Sequence, residues 1–260
     1  MAAKNHWIED RCAKAFWGQH ELAPFRRLVA DTIDWAAPAA DETWLDLGCG
    51  GGTLSRALWE RTAGSANVVG VDCAAINADR YAALRQTLGC RAGDGPHFVC
   101  HDFSSGLALF ADATFDHAVS GLSISYAESY DAAAGRWTTE AYQRVLAEVC
   151  RVIRPGGRFV FSVNVPEPSW ARVGLHSLGG VFRSARPLLF LKNAWRMGAY
   201  GNWLKREARR GRFHYLPREE VVRRLQAAGF GSVECRLSYA GQAFVFRALK
   251  PVVGGASHAR

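Results

Sequence analysis

Long apolar runs are missing from this sequence of 260 residues, and so are the paired cysteines that zinc sites use. No stretch approaches the ~20 apolar residues that span a bilayer. The first eleven residues include several charged side chains and lack the apolar segment of a secretory signal. The seven cysteines are scattered singly, with no Cys-x-x-Cys pair. These absences predict a cytoplasmic protein with reduced thiols and no metal site.

All of the excess positive charge lies in one segment. The net charge is +8, and residues 166–215 hold ten Lys or Arg against Glu167 and Glu207. Aromatic residues, including Phe190, Trp195, Tyr200 and Trp203, alternate with these charges. Such a basic insert can cap an acceptor pocket, touch an anionic membrane surface, bind nucleic acid or form a solvated helical cap.

A short apolar stretch runs into four glycines within residues 44–53, which read W-L-D-L-G-C-G-G-G-T. Glycine lets a ligand approach the main chain closely, and α/β proteins bind cofactors where the first parallel strand ends. The dinucleotide fingerprint G-x-G-x-x-G needs a third glycine where Thr53 stands. Asp46, two residues before the first glycine, suits a cationic amino group better than a diphosphate.

Acids also end the next two predicted strands. Residues 67–72 end at Asp72, which Cys73 follows, and residues 97–103 end at Asp102 and Phe103. A carboxylate at the end of the second strand can accept both ribose hydroxyls of an adenosyl group, in nicotinamide enzymes as in methyl-donor enzymes. Three strand-end acids suit a ligand with an ammonium, a ribose and an exocyclic amine.

The glycine run resembles motif I of the class I S-adenosylmethionine-dependent methyltransferases. A second resemblance is Arg154-Pro155-Gly156-Gly157, placed between a predicted helix and a strand. Together the similar regions cover about residues 40–165 and 214–250. The resemblance implies S-adenosyl-L-methionine as cofactor, with the glycine loop at its methionyl part, acids at its ammonium and ribose, and an acid and aromatic at its adenine. The implied cofactor-binding residues are Asp46, Gly48, Gly50, Gly52, Asp72, Cys73, Asp102, Phe103, Ser120 and Leu122, the last two bordering the methyl group.

The resemblance and the hydrophobic periodicity predict an α/β fold. We expect a doubly wound, mostly parallel seven-stranded sheet with an antiparallel C-terminal strand, since the short link at residues 240–242 implies an antiparallel pair. One domain spans residues 1–251. It divides into an N-terminal helical lid (1–39), the cofactor-binding core (40–165), the basic helical insert (166–215) and the end of the core (216–251), and residues 252–260 form a disordered tail.

The fourth predicted strand with its exit loop, residues 115–122, and the loop that follows at residues 123–131 lack the Asn/Asp-Pro-Pro-Tyr/Phe run that grips a flipped base. They also lack a Pro-Cys pair and paired glutamates. These absences disfavour nucleic-acid and protein-arginine substrates and favour a small-molecule acceptor. Tyr126 and His176 are the candidates for proton removal. Trp17 and His20 are candidates for lining the pocket from the lid.

We therefore expect methyl transfer from S-adenosylmethionine to a small, apolar or aromatic acceptor, by in-line displacement. The basic insert suggests a peripheral membrane contact. The alternatives are a nicotinamide-dependent oxidoreductase and a non-catalytic module that binds an adenosyl group or RNA. The sequence leaves the acceptor and the oligomeric state open.

Overall fold

A computed structural model describes residues 5–91, 93–177 and 187–252, without the side chains of residues 187–197. Its main sheet has seven strands in the order β3-β2-β1-β4-β7-β9-β8. The first five are parallel, and β9 runs antiparallel to both of its neighbours. The predicted sheet is confirmed, including the antiparallel strand near the C-terminus. The strands of this sheet are β1 (Thr43–Leu47), β2 (Asn67–Asp72), β3 (His97–Cys100), β4 (His117–Gly121), β7 (Arg158–Asn164), β8 (Val233–Ser238) and β9 (Ala243–Leu249).

Helices cover both faces of the sheet. The helices at residues 23–36 and 53–61 pack on one face, through residues such as Leu28 and Leu58. The helices at residues 140–152 and 218–227 pack on the opposite face, through residues such as Leu146 and Leu225. The eight α-helices of the described residues are α1 (Asp10–Phe16), α2 (Ala23–Ala36), α3 (Thr53–Arg61), α4 (Asn77–Thr87), α5 (Glu140–Val152), α6 (Trp170–Ser177), α7 (Pro187–Arg209) and α8 (Arg218–Ala227).

The sequence explains why these elements form. In α5, Tyr142, Val145, Leu146 and Val149 recur every three or four residues and are fully buried, which is the pattern of an amphipathic helix. In β1, residues 44–47 are all buried, as expected for a parallel strand covered by helices on both faces. The helices and strands therefore hold the carboxyl ends of the parallel strands at one edge of the sheet.

The N-terminal region divides differently from the prediction for residues 1–39. Helix α2 packs on the sheet, where Leu28, Ile33 and Ala36 join the core. Residues 5–22, with α1 and two short 3₁₀ helices, lie over the strand ends, and Phe25 near the start of α2 also lines the cavity there. The rest of α2 belongs to the core, because its apolar face is buried against the sheet.

A small antiparallel hairpin, β5 (Ser129–Asp131) with β6 (Arg136–Thr138), lies where the sequence suggested only a loop. Asp131 accepts hydrogen bonds from the amides of Ala133 and Ala134, and Gly135 has a φ of 64°. These turn features were present in the sequence. The strands are three residues long, too short to show an alternating pattern.

The insert contains α6 and α7, which contact each other. Leu204 of α7 packs with Tyr126, Phe213 and Tyr215 in a cluster separate from the main core. The side chains of Phe190 and Trp195, and the predicted tail at residues 253–260, lie outside the described residues. No helix within the described part of the chain combines the length and hydrophobicity that a membrane span requires.

Candidate active site and cofactor pocket

A cavity of about 1070 Å³ lies at the carboxyl ends of the parallel strands. This is the position at which open α/β sheets bind ligands. Its walls come from the strand ends, the lid and the insert. The volume is slightly above the range of about 300–1,000 Å³ that is typical of small-molecule sites. The insert contributes residues from 170–177 and 198–204, and the lid contributes most of residues 5–22.

The glycine loop forms the floor at one end of this cavity. Gly48, Gly50 and Gly52 all have positive φ, of 69°, 51° and 82°. A Cβ added at Gly50 would have no neighbour within 4 Å, whereas one at Gly48 would collide with Ser123. The main chain at Gly50 is therefore open to a ligand, and Gly48 permits close packing against the loop after β4.

Asp72 and Cys73 line the cavity beside the glycine loop. The Asp72 carboxylate accepts hydrogen bonds from the Gly50 amide at 3.0 Å, the Ala74 amide at 2.9 Å and the Asn77 side chain at 3.1 Å. Burial raises the pKa of Asp72, and these hydrogen bonds act against that rise. Burial also raises the pKa of the Cys73 thiol, which therefore stays protonated. Asp72 ties the glycine loop to the start of α4 and keeps lone pairs for a ligand.

Asp46 is buried beneath the glycine loop and also lines the cavity. One of its oxygens accepts hydrogen bonds from the Ser55 amide at 3.0 Å and the Ser55 hydroxyl at 2.7 Å. The other oxygen, Oδ1, has no partner among the described residues. Burial raises the pKa of Asp46 to about 7. A nearby ammonium would both pair with this oxygen and favour the ionised carboxylate. The site therefore fits the charged end of S-adenosylmethionine.

Asp102 and Phe103 line the cavity at the end of β3. Asp102 Oδ1 accepts a hydrogen bond from the Ser104 amide at 2.9 Å, and Oδ2 accepts one from the side-chain amide of Asn5 at 2.7 Å. Asn5 belongs to the lid. This contact could not be predicted from the sequence, because a lone asparagine near the N-terminus belongs to no recognisable pattern.

Two implied cofactor-binding residues do not reach the cavity. Gly52 lies outside its lining, and a Cβ there would come within 2.8 Å of Leu84 and 3.1 Å of Tyr81. Its role is to let α4 pack closely, as the last glycine of a dinucleotide fingerprint does. Ser120 is fully buried with its hydroxyl 2.6 Å from that of Ser123, which lines the cavity instead.

The two residues predicted for proton removal lie in different surroundings. His176 is exposed and does not line the cavity, because α6 directs Val173 and Ser177 inward. Tyr126 does line it, but burial raises the pKa of its phenol to about 12. At neutral pH this phenol is protonated, so it can donate or accept a hydrogen bond but cannot act as a ready base.

Aromatic side chains surround the remainder of the cavity. Trp17 and His20 line it from the lid, as the sequence suggested, and Leu122, with a φ of 55°, lines it after β4. Other lining residues were not anticipated, and they are His6, Trp7, Phe16, Asn164, Trp170, Tyr200, Trp203, Leu204 and Tyr239.

His6 joins the lid to the insert. Its Nε2 lies 2.6 Å from the hydroxyl of Tyr200, and its ring centre is 4.6 Å from that of Trp203. Burial lowers the pKa of His6, so the ring is neutral at pH 7. Within the described residues, no cluster of three or more His, Cys, Asp or Glu could hold a metal ion.

Comparison with known proteins agrees with this geometry. A family model for a methyltransferase domain matches residues 45–161. No curated protein matches the chain. A solved S-adenosylmethionine-dependent methyltransferase of Aquifex aeolicus has a similar fold, with a TM-score of 0.60, 13% identity and coverage of 93% of this chain and 98% of that one.

Two other similar structures extend the comparison. A candidate S-adenosyl-L-methionine-dependent methyltransferase of Methanococcus maripaludis has a TM-score of 0.60 and 16% identity, covering 98% of this chain and 99% of that one. The cyclase SpnF has a TM-score of 0.57 and 17% identity, and the match covers 96% of this chain and 88% of that one. The fold therefore accommodates more than one reaction, and it is the match of residues 45–161 that indicates methyl transfer.

Proposed function

We propose that this chain is an S-adenosylmethionine-dependent methyltransferase that methylates a small, neutral and largely aromatic or apolar acceptor. The match of a methyltransferase-domain model to residues 45–161 supports methyl transfer. The observation that supports this acceptor is the lining of the cavity beyond the glycine loop. Trp7, Trp170, Trp203 and Tyr239 contribute to it. Aromatic walls with a few polar atoms are typical of small-molecule sites.

The cofactor, when bound, supplies an activated methyl group on a sulfonium, so the protein has to place the acceptor in line with it. The open main chain at Gly50 and the Asp46 carboxylate would hold the methionyl part. Asp72 would hold the ribose, and Asp102 with Phe103 the adenine. Leu122 and Ser123 would border the methyl group. These roles are proposals that the hydrogen bonds and burial described above support.

Water exclusion follows from contacts between the lid and the insert. Trp7 lies 4.6 Å from Tyr126 and 5.9 Å from Phe213, measured between ring centres, and Phe16 lies 5.5 Å from Tyr200. A lid joined to the insert by aromatic contacts covers the strand ends and keeps the reacting groups dry. His6 is neutral and lines the same cavity, so it is the residue that we propose for accepting a proton from the acceptor.

Incubation with S-adenosylmethionine labelled in its methyl group tests this proposal. Hydroxylated aromatics, quinols and isoprenoid alcohols form the acceptor panel, with tRNA and histone as comparison substrates. We expect label in a small molecule and none in the macromolecules. Trp170→Ala should reduce transfer, and Leu175→Ala on the same helix should not, because Leu175 is 65% exposed and lies outside the cavity lining. Label in tRNA or histone alone would contradict the proposal.

A peripheral membrane contact through the insert is a second proposal, for a protein that we place in the cytoplasm. Exposed Leu175 lies one helical turn from exposed Arg172, a combination that suits an anionic lipid surface. Ion pairs reduce the free charge, since Lys205 and Arg209 both pair with Glu167. Flotation with phosphatidylglycerol vesicles at low salt should carry wild type but less of Leu175→Ser. Binding to tRNA without flotation would contradict this contact.

A further inference from the structure

Asn164 is the last residue of β7 and lies at the sheet edge that carries the strand-end acids. It lines the cavity and is only 1% exposed. Its strand neighbours β4, which leads into the loop that borders the methyl site. Asn164 is therefore a polar side chain in the part of the cavity where the acceptor is proposed to bind.

The side-chain amide of Asn164 makes one hydrogen bond through its nitrogen and none through its oxygen among the described residues. Its Nδ2 donates to the Tyr126 hydroxyl at 3.2 Å, and that hydroxyl lies 2.9 Å from the hydroxyl of Tyr215. Its Oδ1 has no partner among the described residues. A buried acceptor without a donor costs about 1–3 kcal/mol. Such an atom beside a cavity is satisfied when a ligand brings the missing donor.

Among the residues that the structure describes, the lining of this part of the cavity favours neutral ligands. The lining residues that come from α6 and the turn after β8 are Trp170, Val173, Gly174, Ser177 and Tyr239, and none of them is charged. The cationic lining residues Arg11, Lys14 and Arg80 belong to α1 and α4. Arg80 stacks on Trp17 at 4.8 Å. A carboxylate or phosphate would therefore find no cation from α6, β7 or the turn after β8.

We infer that Asn164 Oδ1 accepts a hydrogen bond from a neutral hydroxyl group of the acceptor, which makes Asn164 a positioning residue that selects for hydroxylated acceptors. The inference rests on the proposed function for the location of the acceptor. The hydroxyl bound to Asn164 keeps its proton and orients the acceptor. The oxygen that is methylated is a second one, whose proton passes to His6 as its bond to the methyl group forms and the methyl–sulfur bond breaks, leaving S-adenosylhomocysteine.

A pair of probes that differ in one hydrogen-bond donor, which a methyl group replaces in the second probe, tests the inference. 2-Naphthol has a hydroxyl, and 2-methoxynaphthalene replaces it with an ether that cannot donate. Dissociation constants are measured by calorimetry in the presence of S-adenosylhomocysteine. We expect wild type to bind 2-naphthol about tenfold more tightly, the value of one net hydrogen bond. In Asn164→Leu the ratio should fall close to one.

Tyr215→Phe is the matched control, because it removes one hydroxyl from the same hydrogen-bonded group, lies outside the cavity lining, and leaves both Asn164 and Tyr126 in place. Its preference for 2-naphthol should persist. Equal losses in both variants would show a general disturbance of the pocket and overturn the inference. The wild-type ratio is informative even if Asn164→Leu does not fold, since a ratio of one or a preference for the ether also overturns it. If wild type shows no preference for 2-naphthol but still binds the cofactor and transfers methyl groups, the role of Asn164 is wrong and the proposed function stands. If cofactor binding and methyl transfer are absent as well, the proposed function itself is wrong.

Discussion

Replacing Asp46 by asparagine should stabilise the empty protein. Burial raises the pKa of Asp46 from 3.8 to about 7, so the folded protein binds this proton more tightly than the unfolded chain does. Stability therefore falls as pH rises from about 4 to 7, and the ionised carboxylate costs the folded state up to about 4 kcal/mol above pH 7. Asparagine removes this cost and can still accept from Ser55. A net gain of about 1–3 kcal/mol, allowing for weaker hydrogen bonds, is expected in urea unfolding at pH 7.5.

The same substitution should weaken cofactor binding. An ammonium beside Asp46 favours the carboxylate, so the affinity of wild type for S-adenosylhomocysteine should rise as pH increases from 5.5 to 7.5. At pH values well below the pKa of Asp46 in the empty protein, each increase of one pH unit should raise the affinity for S-adenosylhomocysteine by up to about tenfold. Asp46→Asn should bind about 10–100-fold more weakly at pH 7.5, the value of a hydrogen bond to a charged group, and with less dependence on pH. Calorimetry at four pH values measures both effects.

Adenosine is the matched control ligand, because it lacks the amino-acid part. Its affinity should change little with this substitution and show no rise that depends on Asp46. The reasoning is refuted if S-adenosylhomocysteine binds wild type and Asp46→Asn with equal affinity and equal pH dependence. It is also refuted if the variant is less stable than wild type at pH 7.5, since the buried charge would then not be destabilising.

Three further results are expected. Gly52→Ala should lower the free energy of unfolding by about 2 kcal/mol or more in urea, because the residue has a φ of 82° and its Cβ would come within 2.8 Å of Leu84. An unchanged urea midpoint would contradict this. Burial lowers the pKa of His214 to about 4, so the unfolded chain binds a proton more readily than the folded protein does. The free energy of unfolding of wild type should therefore fall by up to about 3 kcal/mol as pH falls from 6.5 to 4. His214→Gln should show a weaker pH dependence in the same assay. Asn5→Ala should bind adenosine up to about tenfold more tightly by calorimetry, because it frees Asp102 from the lid amide; weaker binding would show that the contact assists the ligand.

Most of the sheet could be predicted from local patterns. Buried parallel strands such as residues 67–72 are nearly continuous apolar runs, and glycines or Pro-Gly pairs mark the turns between them. Strand-end acids were identifiable because parallel strands bring their carboxyl ends to one edge. The same rule could have identified Asn164, which ends β7, had amides been considered along with acids.

The rest of the site depends on tertiary packing that has no local pattern. Whether His176 or Val173 turns inward on α6 is decided by the surface that the helix packs against, and the sequence does not specify that surface. His6 contacts Tyr200, which is 194 positions away in the chain, and Asn5 contacts Asp102, which is 97 positions away. The role of Gly52 was misassigned because a glycine for helix packing and a glycine for ligand approach have identical sequence signals.

Titration of wild type and Asp72→Ala with S-adenosylhomocysteine and NADH in a calorimeter tests the central claim most directly. Asp72 connects the glycine loop to α4 through three hydrogen bonds and lines the cavity. We expect one equivalent of S-adenosylhomocysteine to bind wild type, no binding of NADH, and a loss of about 1.5–3 kcal/mol in Asp72→Ala. Binding of NADH without S-adenosylhomocysteine, or equal affinity in a folded Asp72→Ala variant, would contradict the account.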